Sequence, residues 1–413
     1  MRVLFTVSNW AGDYFCMVSQ AWALQSAGHE VRVVCAQEQA GTVSRAGLTA
    51  VPLLAPLDMN SLARLGLLLK QDAGTRILPG LPLPLHPITG ARVASLNEVD
   101  LEQLQIQTWM SMVEGLLSNS DAVVDFAKSW RPDIVCYSLM NEDGPLAARA
   151  VGVPAVYCPP GFFGVNETGH LYLGVPDPAQ VFARHGLDPW DRSQVQHIID
   201  PTPVAALPDH GSAVYHASRY VPYNGVGTLP EWEWAQEGRS DRKRVCIIWG
   251  RSAIGLFGKE PEALSHAVNA SVELGADVVL VVPKEQAGHL GPLPENVRVV
   301  QDFPIHLLIR SSDAVVHHSS GNTLMNALAL GVPQVALGLS DDAIEVGRRC
   351  DRTGASSTLP GFLAGYEEIR SAIARAIDDP SQRHAAEAVR VELEARPDPL
   401  RLVRTLEEIA GNG

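Results

Sequence analysis

Long hydrophobic runs are missing from this 413-residue chain. No stretch approaches the ~20 apolar residues that a bilayer-spanning helix needs, which excludes an integral helical membrane protein. The first apolar run, VLFTV, is too short for a signal peptide core, so the sequence predicts a cytoplasmic protein. Cysteine is scarce and dispersed: Cys16, Cys35, Cys136, Cys158, Cys246 and Cys350 never form a CxxC pair. That spacing argues against a disulfide framework and against a zinc knuckle, and for reduced thiols in a cytosolic interior. Positive charge is also short, with 32 Lys and Arg against 46 Asp and Glu, for a formal net charge of -14. Such a surface repels phosphate backbones and anionic lipid, so neither nucleic acid nor a membrane is an expected partner. Charged residues make up only 19% of the chain and apolar ones 46%, the balance of a well-packed globular protein.

What is there reads as two domains of roughly 200 residues each. RVLFTVS is a fully apolar strand, DYFCMVSQAWALQSAG has helical spacing, and HEVRVVCA is the next strand, which together make a parallel βαβ unit. A helix over WMSMVEGLLSNSDAVVDFAKSW, a strand DIVCYSL, a helix GPLAARAVG and a strand PAVYC continue the alternation to about residue 160. Residues 60–97, rich in Leu, Pro and Gly, read as a long excursion, and long loops in compact domains are usually functional. An N-terminal domain over 1–222, a linker over 223–242 and a C-terminal domain over 243–390 follow. In the second domain RVCIIWG, ADVVLVVP, NVRVVQDF, DAVVHHSS and VPQVALG are strands, separated by helical segments. Residues 391–413 form a helical tail that can pack back on the N-terminal domain. The fold class is therefore α/β, with two Rossmann-like, doubly wound domains facing across a cleft.

In open parallel sheets, ligands sit beyond the carboxyl ends of the strands, with phosphates on helix N-termini. The segment DAVVHHSSGNTLMNALALG supplies a strand, a small polar loop and a helix. Ser319, Ser320, Gly321, Asn322 and Thr323 offer backbone amides and short side chains to an anion, and His318 adds a donor; His317 reads as structural. No Walker lysine is present, so a diphosphate suits the loop better than a magnesium-held triphosphate. No His, Cys, Asp and Glu cluster has metal-ligand spacing, and no metal or other cofactor is expected.

HHSSGNTLMNALALGVPQ resembles the signature His-His-Gly-Gly-x-Gly-Thr…Gly-Val-Pro-Gln of the GT-B glycosyltransferases of the antibiotic and plant natural-product type. MRVLFTVSNWAGDYFCMV, WRPDIV, GPLAARAVGVPAV and QDFPIHLLIRSSDAVVHH extend the resemblance over nearly the whole chain. It implies a nucleoside diphosphate sugar, thymidine-linked, as donor and a polyketide-like or other aromatic small molecule as acceptor. It leaves a homodimer open. By position, His318 and Ser319–Thr323 would hold the diphosphate, Arg251 and Ser252 would lie beside it, and Phe303 would stand near the nucleobase. Asp342 would touch sugar hydroxyls, although the glutamine that follows it in the family is Ala343 here.

The family's general base is a histidine after the first strand, and Asp13 occupies its place; the acidic partner of that histidine would fall near Ser138. Either Asp13 is the base, or Glu142 or Asp143 is, or the acceptor is acidic enough to need little help. Asp13 also reads as a helix N-cap. Trp10 and Tyr14, with Glu142 and Asp143, are the candidates for the acceptor side, the two aromatics being equally readable as core. Beside an inverting transferase that makes a phenolic O- or C-glycoside, two alternatives fit the departures: a catalytically silent partner of another transferase, and a nucleotide-sugar epimerase or hydrolase of GT-B shape.

Overall fold

The computed structural model describes residues 1–10, 12–171, 177, 179–234, 241–287, 292–301 and 303–411. Seven parallel strands build the first sheet: β1 (Arg2–Thr6), β2 (Glu30–Ala36), β3 (Ala50–Leu54), β4 (Ile134–Tyr137), β5 (Ala155–Tyr157), β6 (His197–Asp200) and β7 (Val214–Ala217). Their order is β3-β2-β1-β4-β5-β6-β7. The second sheet holds β8 (Arg244–Ile248), β9 (Asp277–Val282), β10 (Val297–Gln301), β11 (Ala314–His317), β12 (Gln334–Gly338) and β13 (Ser356–Pro360), in the order β10-β9-β8-β11-β12-β13. Both are doubly wound, and each reverses direction once: between β1 and β4, and between β8 and β11. Those switch points open the crevices in which such folds hold ligands.

The central strands are apolar on both faces because helices cover both, as in the fully buried runs of Val3–Thr6 and Ile134–Tyr137. Thr6 pairs with Tyr137 and His317 with Ile248, so the loops that follow these strands leave the sheets side by side. Gly144 lets the helix Asp143–Val151 press against that first switch point. A Cβ there would stand 2.3 Å from the Tyr137 Cβ and 2.6 Å from the Thr6 hydroxyl.

Several expectations change. The first helix opens as a 3-10 turn over Asp13–Met17 before the α-helix Val18–Ser26. The helix expected from Trp109 starts eight residues earlier, at Leu101, where Asp100 accepts from the Gln103 amide, and runs to Trp130. The excursion is not all loop: Met59–Asp72 is an amphipathic helix capped by Asp58 at the Ser61 amide, 3.1 Å. Leu67 of that helix is buried in the core of the second domain, with Val245, Leu256 and Phe257. In the 223–242 stretch, Glu231–Trp234 is a short helix and residues 235–240 lie outside the described residues. The final helix, Pro399–Gly411, inserts Leu402, Val403, Leu406 and Ile409 into the N-terminal core beside Leu24.

Candidate functional site

Asp13 sits in the crevice between β1 and β4, 6% exposed. Gly12, not Asp13, is the N-cap of the following turn, and no side chain caps it, which removes the capping role. The carboxylate instead receives two hydroxyls on Oδ2: Ser8 donates at 2.7 Å, and Ser138 donates from the loop after β4. Ser138 thus stands where the resemblance puts an acidic partner, and it holds the carboxylate by a hydrogen bond. Burial pushes Asp13 up to about 6 from its ordinary 3.8, and the two serines oppose that rise without cancelling it. Trp10 is half-buried in the same loop, its amide on the Ser8 hydroxyl at 3.3 Å.

Tyr14 is corrected from acceptor wall to core. It is 2% exposed, packs edge-on to Phe15 with centroids 5.1 Å apart, and belongs to the cluster of Phe5, Leu24 and Val33. Tyr137 and Tyr157 are each 3% exposed and packed in a core cluster with Phe162 and Ile198. Tyr137, Tyr157, Trp190 and Arg192, with Ser138 and Glu142, line a narrow crevice with room for about one water molecule. It therefore touches the very serine that holds Asp13. Burial drives Glu142 up to about 8, so its carboxyl is largely protonated at neutral pH, with Arg192 pulling the other way. Asp143 is likewise raised to about 6 by burial.

Across the cleft, β11 ends at His317, which is wholly buried and spent on structure: Nε2 meets Gln334 Oε1 at 2.8 Å and Nδ1 accepts from the Ser319 amide at 3.0 Å. His318 is half-buried, and burial lowers its pKa, so the imidazole is neutral. It lies against Gly250, where a Cβ would come within 2.8 Å of the ring, and its Nδ1 has no hydrogen-bond partner among the described residues. The loop hydroxyls are already committed. Ser319, at φ 67°, donates to the Ala343 carbonyl at 2.6 Å, while Ser320 caps Thr323 N–H at 3.3 Å and bonds its hydroxyl at 2.8 Å. What remains for an anion is the amides of the first turn, Gly321 and Asn322 foremost, and the imidazole.

The Asn322 side chain reaches out of the loop and donates to the carbonyl of Gly12 at 2.8 Å. The start of the candidate phosphate helix is thereby tied to the residue before Asp13. Tyr220 adds a hydroxyl at 3.3 Å from Asn322 Oδ1. Farther out, Arg251 ends the loop after β8, exposed and 3.0 Å from Glu285, and Ser252 begins the helix Ser252–Phe257. Phe303 packs against Ile248 and Leu308 with part of its ring exposed. Asp342 is half-buried on the first turn of the helix Asp341–Asp351. Its neighbour Asp341, which sequence reading passed over, is fully buried against the N-terminal domain: Arg76 Nε donates at 2.7 Å and the Ile77 amide at 2.6 Å. A second cross-domain pair joins Arg349 to Glu167.

The matching family models are described as erythromycin biosynthesis protein CIII-like, N-terminal domain, over residues 22–250, and the corresponding C-terminal domain over residues 265–409. The chain is 30% identical to the 10-deoxymethynolide desosaminyltransferase of Streptomyces venezuelae, over 99% of this chain and 97% of that one. It is also 30% identical to the tylactone mycaminosyltransferase of Streptomyces fradiae, over 99% and 92% respectively. Among solved structures, the glycosyltransferase VinC in complex with dTDP superposes with a TM-score of 0.72 at 28% identity, covering all of both chains. No helix among the described residues is long and apolar enough to cross a membrane. Two facing Rossmann-like domains, a histidine and helix start on one side of the cleft, and family models that together span most of the sequence identify the chain as a GT-B glycosyltransferase of the erythromycin biosynthesis protein CIII-like family.

Proposed function

We propose that this glycosyltransferase is an inverting enzyme of the cytoplasm that moves a deoxysugar from a thymidine diphosphate donor to a polyketide-like or other aromatic acceptor. The observation that carries this reading is the pairing across the cleft. A buried carboxylate stands on one domain, the amides and imidazole of a phosphate cradle stand on the other, and Asn322 joins them through Gly12. The relatives' names support the donor and acceptor classes: one is a 10-deoxymethynolide desosaminyltransferase, and the solved VinC structure is a complex with dTDP.

In this scheme Asp13 takes the proton of the acceptor nucleophile as it attacks the anomeric carbon. The bond from that carbon to the diphosphate breaks on the opposite face, so one displacement inverts the centre. An ordinary carboxylate is a weak base for an alcohol; a pKa near 6 brings Asp13 closer to the working pH and suits an acidic phenol or an electron-rich ring carbon. Charge gathering on the leaving diphosphate meets the positive end of the Gly321–Ala329 helix and the His318 imidazole. That cradle lets the reaction proceed without a metal ion. The test is donor turnover with candidate acceptors, scored by release of thymidine diphosphate, with the new bond and its anomeric configuration read by NMR. Retention of configuration would refute the single displacement.

A further inference from the structure

The excursion that the sequence left without a role is an arm of the acceptor domain laid over the donor domain. Three contacts pin it. Arg64 Nε donates to the Gly255 carbonyl at 2.9 Å, the Leu85 amide to the Leu256 carbonyl at 2.8 Å, and Arg76 grips Asp341. Gly255 and Leu256 follow β8, whereas Asp341 follows β12, so the arm touches the donor domain on both sides of the β8–β11 crevice. The grip at Asp341 is the one between charged, buried side chains. Both of its oxygens are engaged, Oδ2 by the Arg76 guanidinium and Oδ1 by the Ile77 amide, with side chains 4% and 0% exposed. His170 stands 3.7 Å from Oδ1, adding a third group from the acceptor domain. The carboxylate also lies in the first turn of the helix that carries Asp342, one residue on.

We infer that Arg76 is a positioning residue for the donor sugar: by clamping Asp341 it fixes the helix turn that presents Asp342 to the sugar hydroxyls. This rests on the transfer reading above together with the contact that the resemblance implies, Asp342 touching the sugar hydroxyls. The clamp joins the two domains, since its partners lie 265 positions apart, Arg76 in the arm and Asp341 at the start of the helix after β12. Its cost is high if only one partner is present, because a buried carboxylate would be left without its cation. Its loss should therefore weaken the grip on the sugar while leaving the phosphate cradle, built on the loop after β11, in place.

The experiment compares two probes by calorimetry, thymidine diphosphate and thymidine diphosphate glucose, on the full chain. Two variants are used: Arg76→Lys, and the charge-matched double variant Arg76→Met with Asp341→Leu, which avoids an orphaned buried charge and so protects the fold. The double variant should lose about tenfold or more in affinity for the sugar nucleotide, with thymidine diphosphate affinity changed less than about twofold. Arg76→Lys should recover part of that loss. Folded double variant with unchanged discrimination between the probes, or with equal losses for both, overturns the clamp. Donor turnover by the wild-type chain is run alongside; its absence with every acceptor would overturn the transfer reading, whereas turnover with an unaffected variant overturns the clamp alone.

Discussion

Replacing Asp13 by Asn should separate catalysis from stability in opposite directions. The carboxylate is buried and raised from 3.8 to about 6, so at pH 7 the folded protein carries a charge that burial disfavours. The difference corresponds to about 3 kcal/mol of stability withheld from the folded state. Between pH 3.8 and 6 the folded state binds the proton that the unfolded state has already released, and stability due to this group falls as pH rises through that window. Below 3.8 both states are protonated and nothing is lost. Asn is neutral throughout, and its side-chain oxygen can still accept from Ser8 and Ser138. The variant should therefore melt above the wild type at pH 7.5 by a margin equivalent to at most about 3 kcal/mol, and that margin should close toward pH 4. Its turnover should fall by about 10²–10⁴, the usual range for removing a general base, with nucleotide affinity intact. The acid limb of wild-type kcat/KM should bend near pH 6. Thermal melts at three pH values and initial rates on the same preparations make the assay. A variant that melts no higher than wild type at pH 7.5, or that keeps wild-type turnover, refutes the reasoning and shifts the base to Glu142 or Asp143.

Other outcomes are equally open to measurement. His318→Ala should weaken thymidine diphosphate binding by about tenfold, as loss of a hydrogen bond to a charged group does, read by calorimetry. Gly250→Ala should mimic it, because the added methyl would stand 2.8 Å from the His318 ring and displace the imidazole. Asn322→Gly, which installs the residue found at that place in the resembling signature, should lower kcat by several-fold to about tenfold while leaving the diphosphate affinity within about twofold, since it severs a neutral hydrogen bond to the base loop. Turnover should persist in excess EDTA; loss with rescue by magnesium would show that the cradle does not suffice.

The sheets were legible because their central strands are buried on both faces and read as uninterrupted apolar runs. The donor loop was legible too, since a strand, a small polar loop and a helix leave few other conformations for HHSSGNT. Partnership was harder to read. Ser319 and Ser320 are plausible anion ligands by residue type, yet each spends its hydroxyl within the protein, one on Ala343 and the other on Thr323. Tyr14 is readable as an acceptor contact by residue type, and only packing against Phe5, Leu24 and Val33 decides that it fills the core. Asp341 and Asp342 are adjacent and chemically identical; which of them faces the other domain depends on helix phase and on an arginine far away in sequence. The helix Met59–Asp72 divides its apolar side chains, Leu65 and Leu68 packing with Val93 and Leu104 of its own domain and Leu67 entering the core of the second, a partnership that its sequence neighbours do not show.

The account stands or falls on one comparison: wild type and Asp13→Asn, each incubated with a thymidine diphosphate deoxysugar in the presence and absence of an aromatic polyketide acceptor, with diphosphate and glycoside both quantified. The account predicts one glycoside per diphosphate released, strict dependence on acceptor, and near-abolition in the variant despite undiminished nucleotide binding. Donor consumption that ignores the acceptor, or nucleotide binding with no consumption across acceptors, would contradict it.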